Sequence, residues 1–87
     1  MFMGWYDPDR KKQARQKVAE GIERYIEKFG VEPELVLTSE TDAEELISPP
    51  KRTRLPAPPV PVRTVSFIPR WTFYIGTEDA PDPVLAA

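Results

Sequence analysis

Apolar residues recur at Ala14, Val18, Ile22, Tyr25, Ile26 and Phe29, the three-and-four spacing of a helix with one buried stripe. Glu20, Glu23, Arg24, Glu27 and Lys28 fall on its other faces, with Glu20 and Arg24 spaced to attract one another. Asp7-Pro8-Asp9 predicts the start of this helix. Asp7 suits the N-cap, Pro8 the first helical position and Asp9 the positive end of the dipole. Gly30 predicts its end as a left-handed residue. From Pro8 to Phe29 such a helix is a rod of about 33 Å, and its first two turns are expected to project beyond the sheet.

Leu35-Val36-Leu37 is an uninterrupted apolar run, the pattern of a short strand buried on both faces and so central in its sheet. It runs into an acidic helix that Ser39 or Thr41 caps, with Asp42 or Glu44 three positions on as in a capping box. Ala43, Leu46 and Ile47 form the expected inner face, and Pro49-Pro50 stops the helix. Residues 48–61 read as a stiff polyproline-like arm. Val62 to Ile68 is β-branched and aromatic, Pro69-Arg70-Trp71 is a turn, and Thr72 to Ile75 is a second strand ended by Gly76. The predicted order is helix, strand, helix, arm, strand, strand. This is an α+β fold in which a small mixed sheet packs on a long N-terminal helix. The first two strands are expected parallel, with the third antiparallel beside the second as a hairpin. The expected organisation is an aromatic lead over 1–7, a domain over 8–76 carrying the arm, and an acidic extended tail over 77–87.

Composition narrows this picture. A chain of 87 residues holds one domain with a thin core. Six of its 11 prolines fall between Pro49 and Pro61, so the globular part is smaller than the chain. A core of that size is too small to hold both the arm and the tail, and neighbouring molecules are expected to supply the missing contacts. Cysteine and histidine are absent, which removes disulfides, thiolate or histidine zinc sites and histidine-activated nucleophiles. No run approaches the ~18 apolar residues of a spanning helix, and Met1 to Tyr6 is too short for a signal-peptide core. An intracellular or virion location is expected, neither secreted nor membrane-bound. The absence of asparagine and the scarcity of glutamine (Gln13 and Gln16) resemble the bias of thermophile proteins.

Net charge is only −2, but the signs are segregated. Arg10, Lys11, Lys12, Arg15 and Lys17 form a basic block, and Glu40, Asp42, Glu44 and Glu45 an acidic one. Lys51, Arg52 and Arg54 are basic again, and Glu78, Asp79 and Asp82 are acidic. Alternating blocks favour pairing within the chain or with neighbours over a uniform field for nucleic acid. The acidic block reads as capping and solvation, because its four carboxylates point in different directions and no second cluster joins them. The basic block sits where the helix dipole disfavours cations, so a phosphate backbone or an acidic protein neighbour is a reason for it, against the plainer reading of a solvated face. Pro58 to Arg63 fits a P-x-x-P-x-basic ligand pattern, but a rigid spacer explains it. Ser39, Ser48 and Ser66 have no visible base. No catalytic, cofactor-binding or metal-binding residue is therefore assigned, no cofactor is expected, and the chain is not read as an enzyme.

Phe2, Trp5 and Tyr6 need cover, either as a cap over their own core or as anchors in a partner's pocket. The partner-binding candidates are Phe2, Trp5, Tyr6, Arg10, Lys11, Arg15, Arg52, Arg54 and Trp71. Phe29-Gly30-Val31-Glu32-Pro33, Val36-Leu37, Asp42 to Leu46, Ile68-Pro69 and Phe73 to Gly76 together resemble a pattern in small bacteriophage proteins and in part of phage major-capsid sequences. The resemblance covers residues 29–76 with the arm as an insertion, and it carries no functional residue over. It implies a minor or cementing virion protein that binds other subunits of an assembly through its termini and arm. The alternative is a small phage-encoded binder or inhibitor of a host protein, or a nucleic-acid-contacting accessory protein, led by the basic helix.

Overall fold

Phe2–Tyr6 is a strand, β1, and the computed structural model describes residues 2–48 and 54–78. The expected aromatic lead is thus part of the sheet. The reason is a period of two that a five-residue stretch hides well: Met3 and Trp5 pack against the core, while Gly4 and Tyr6 are exposed. The Asp7 N–H donates to the Trp71 carbonyl (3.1 Å) and extends the ladder by one bond. Asp7 is therefore not a helix cap. Its carboxylate accepts the Asp9 N–H (3.0 Å), and that of Asp9 accepts the Lys11 N–H (2.9 Å). Two such side-chain turns in succession compete with helical hydrogen bonding.

Helix α1 consequently spans Ala14–Phe29, starting about a turn and a half later than Pro8. Its buried residues are Ala14, Lys17, Val18, Gly21, Ile22 and Tyr25, a stripe that keeps the expected register but admits a lysine and a glycine. Gly30 (φ 72°) closes the helix, its N–H donating to the Ile26 carbonyl. Strand β2 (Leu35–Thr38) leads into helix α2 (Glu40–Ile47), which Ser39 caps by accepting the Asp42 N–H. The inner face of α2 is Asp42, Ala43 and Leu46. Ile47, expected inside, is 68% exposed, because the helix is rotated to bury Asp42 in its place.

Strands β3 (Val62–Thr64) and β4 (Thr72–Gly76) complete a four-stranded sheet in the order β1-β4-β2-β3. β2 is interior and parallel to β3, as its apolar run predicts, and β4 is antiparallel to both β1 and β2. The expected β3–β4 hairpin does not form. After Thr64 the chain crosses the end of β2 and returns on its far side, with the Val65 N–H donating to the Thr38 carbonyl (2.9 Å) and the Thr38 hydroxyl to the Thr72 carbonyl (2.8 Å). That crossing takes residues 65–71, so the predicted strand to Ile68 shortens to three residues. Ile68 instead turns inward and is buried.

Both helices lie on one face of the sheet, over the rows Met3-Ile75-Val36-Val62 and Trp5-Phe73-Thr38-Thr64. Phe73, Ile75, Val36, Leu46 and Val18 are almost fully buried there. The described part of the arm docks on its own chain: the Leu55 carbonyl accepts from Arg15 (2.9 Å), Val60 packs against the core, and the Pro61 carbonyl accepts the Val36 N–H (3.0 Å). Over 54–61 the arm thus makes contacts to its own core, although most of its residues stay exposed. Pro49 to Thr53 and the tail from Asp79 lie outside the described residues.

Gly21 is where α1 meets the sheet. A Cβ there would stand 2.5 Å from Ile75 Cδ1 and 2.8 Å from Trp5 Cδ1. Gly21→Ala is expected to destabilise the protein by about 1–3 kcal/mol, despite the roughly 1 kcal/mol that alanine gains over glycine inside a helix. The urea midpoint reads this directly, and an increase would contradict the close contact of Trp5 with α1.

Candidate functional site

Asp42 is fully buried, and a buried carboxylate requires partners for both oxygens. One oxygen accepts from Arg70 Nε (3.1 Å). The other accepts the Ser39 hydroxyl (2.7 Å) and the Trp71 N–H (2.6 Å). Arg70 also reaches Glu45 (2.7 Å). The hydrogen bond to Asp42, reinforced by the charges of both carboxylates, raises the pKa of the Arg70 guanidinium further above its ordinary value. The start of α2 and the crossing loop are thus joined by one side chain. The sequence offers a clue in Ser39 and its acidic partner three positions on, but a capping-box acid is ordinarily exposed, and nothing local marks this one as buried.

Trp71 carries a left-handed backbone (φ 63°), a conformation that costs a non-glycine residue about 1 kcal/mol or more. Asp42 holds its N–H, and three cations hold its ring. Arg10 Cζ and Lys17 Nζ lie 5.4 Å from the ring centroid, and Arg70 Cζ lies 5.5 Å away. Lys17 is itself buried, its stem in the α1 stripe and its ammonium against the negative face of the indole.

Lys12 and Arg15 of the basic block are likewise engaged within the chain. Lys12 binds Glu20 (2.8 Å) and lies 3.6 Å from Asp7, and the Glu20 hydrogen bond raises its pKa. Arg15 Nε donates to the Leu46 carbonyl (2.9 Å), tying α1 to the end of α2. These contacts give the cations at and just before the start of α1 partners within the chain. A shallow cavity of about 220 Å³ remains beside them, lined by Arg10, Lys11, Lys12 and Arg15 together with Glu45.

The partner candidates therefore separate. Trp5 packs inward against Gly21, and its indole N–H is buried without an acceptor among the described residues. Arg10 and Trp71 belong to the internal cluster, and Arg15 ties α1 to the end of α2 and to the arm. Lys11 and Arg54 are exposed, and Arg52 lies outside the described residues. Phe2 and Tyr6 belong to the other face of the sheet, which no helix covers. The register places Phe2 beside Gly76 and Leu35, Gly4 beside Tyr74 and Leu37, and Tyr6 beside Thr72 on that face. Tyr6 is 64% exposed and Tyr74 37%, and the Tyr74 ring lies over Gly4, where a Cβ would meet it at 3.6 Å. Sequence reasoning missed Tyr74 and Leu37 because the hairpin it predicted does not bring β1, β4 and β2 side by side. Among the described residues no group of acidic side chains could hold a metal ion, and no helix is long and apolar enough to cross a membrane. No family model, curated protein or solved structure matches this chain.

Chemical denaturation of three variants tests the Asp42 cluster. Asp42→Ala is expected to cost about 2 kcal/mol or more, because it leaves the Trp71 N–H and the Ser39 hydroxyl without their acceptor. Arg70→Ala, which leaves the buried Asp42 carboxylate without its charged partner, should cost about 3 kcal/mol, and Glu45→Ala, whose partner is half exposed, less than about 0.5 kcal/mol. Equal effects at Asp42 and Glu45 would contradict the ranking.

Proposed function

We propose that the protein is a non-enzymatic component of a protein assembly that engages its neighbours through the uncovered face and outer edge of its sheet. The observation that carries this reading is the apolar and aromatic surface formed by exposed Tyr6 and Tyr74 with half-buried Phe2 and Leu37, which neither helix covers. Contiguous exposed apolar surface on a small domain costs solubility and marks contact with another macromolecule. Phe67, 84% exposed in the crossing loop, adds a further apolar side chain. Tyrosine and phenylalanine bury large area with few torsions to fix, which suits them to interfaces.

The concrete form of the reading is a minor or cementing protein of a phage virion, the role that the resemblance over residues 29–76 implies. Its contact surface is the sheet rather than an extended N-terminal lead. The competing reading, a binder led by the basic helix, loses its motive because Lys12, Arg15 and Lys17 are held by their own chain. An apolar contact also differs from a basic one in its response to salt, which screens exposed charges but leaves apolar burial intact.

Velocity sedimentation of an extract from cells producing the protein tests the proposal. The chain is expected in a fast-sedimenting species at both low and high salt. Tyr74→Lys should release it to the top of the gradient while leaving the circular dichroism spectrum unchanged. Wild-type protein found only as a slow species, or an assembly dissolved by salt and indifferent to Tyr74→Lys, would refute it.

A further inference from the structure

Among the described residues nothing pairs with the outer edge of β1. β1 ends the sheet order, and its five residues, Phe-Met-Gly-Trp-Tyr, contain no charge and no proline. Such an edge presents backbone donors and acceptors with none of the devices that ordinarily block pairing. The opposite edge differs. β3 has three residues, follows Pro61 and carries Arg63, which binds Glu78 (2.7 Å). That ion pair also holds Glu78 on the β3 side of the sheet.

The ladder identifies which backbone groups are available. Because the Asp7 N–H bonds to the Trp71 carbonyl and the register pairs Tyr6 with Thr72, alternation directs the peptide groups of Met3, Trp5 and Asp7 toward β4. Those of Phe2, Gly4 and Tyr6 point outward. The sequence around Gly4 is symmetric in character, with an aromatic residue two positions away on each side and a large apolar residue one position away on each side. An antiparallel strand of the same sequence therefore complements it.

We infer that β1 pairs with β1 of a second copy of this chain about a two-fold axis through Gly4, joining two sheets into one of eight strands. In this register Gly4 faces the partner's Gly4 and Phe2 faces the partner's Tyr6, twice by symmetry. Met3 lies beside the partner's Trp5 on the helix side. The absence of charge on β1 leaves nothing to repel its own copy, and the small side chain of Gly4 lets the strands meet beneath the two Tyr74 rings. Aromatic cross-strand pairs and outward peptide groups then satisfy one another. The inference rests on the reading of the sheet as the contact surface and names the occupant of its edge.

Sedimentation equilibrium of the purified chain between about 1 μM and about 1 mM, the range of a small interface, is expected to show a shift toward twice its 9.9 kDa mass. Tyr6→Lys, at an exposed position, should weaken the dimer about tenfold, and the F2E/Y6K double variant should restore it by placing opposite charges face to face. Gly4→Pro removes an outward N–H and should give a monomer. Because the chain has no cysteine, Gly4→Cys should oxidise to a covalent dimer, since facing strands hold such positions within disulfide reach, whereas Arg63→Cys should not. A monomer throughout the range overturns the inference. So does a dimer that is indifferent to Tyr6→Lys, or one cross-linked through Arg63→Cys alone. A monomer that still joins a larger species through Tyr74 retains the contact surface and assigns the edge to another protein's strand, which also overturns self-pairing. A dimer that joins no larger species supports self-pairing and removes the wider assembly role.

Discussion

A single carboxylate sealed from water determines how the two halves of this chain meet. Asp42 has no exposed surface, and each hydrogen bond it accepts comes from a different part of the local structure: the cap of its own helix, the Arg70 side chain and the Trp71 backbone. An unpaired charge in that position is prohibitively unfavourable, so the crossing loop must lie against the start of α2 whenever the core is closed. With the loop fixed, β4 enters the sheet between β1 and β2 rather than folding back on β3. The left-handed turn at Trp71 is a consequence of that placement, held by the cluster around it.

Trp71 in turn organises the basic start of α1. Lys17 occupies a core position because its ammonium meets an indole face, and Arg10 and Arg70 lie near the same ring. Cations that disfavour a helix start in isolation become part of the tertiary structure. The consequence for function is indirect. With Lys12, Arg15 and Lys17 engaged internally, the proposed contact with neighbours lies instead on the apolar face of the sheet and the edge of β1.

Much of the scaffold is legible in the sequence. The stripe from Ala14 to Tyr25 sets the packing face of α1, Leu35 to Leu37 announces an interior strand, and Ser39 marks the start of α2. Each of these signals is local, carried by residues within a few positions of one another. The features that were not legible depend on distant partners. Asp42 looks like a solvated member of an acidic block until Arg70 and Trp71, 28 and 29 positions away, are brought to it. Pro69-Arg70-Trp71 has the composition of a hairpin turn, and only the bonds to Thr38 and Asp42 turn it into a crossing. β1 is short and interrupted by Gly4, and Asp7-Pro8-Asp9 imitates a helix cap although its carboxylates close turns of their own. The uncovered face of Phe2, Tyr6, Leu37 and Tyr74 draws on three strands, so no one stretch of sequence displays it.

Amide hydrogen exchange at Trp71, followed by NMR, tests the central claim most directly. If the Asp42 carboxylate locks the crossing, the Trp71 N–H exchanges as slowly as the amides of β2 and β4, although it lies outside every strand and helix. In Asp42→Asn protection at Trp71 should fall sharply while that of α1 is retained. Exchange of the wild-type Trp71 amide at the rate of an open loop would contradict the account.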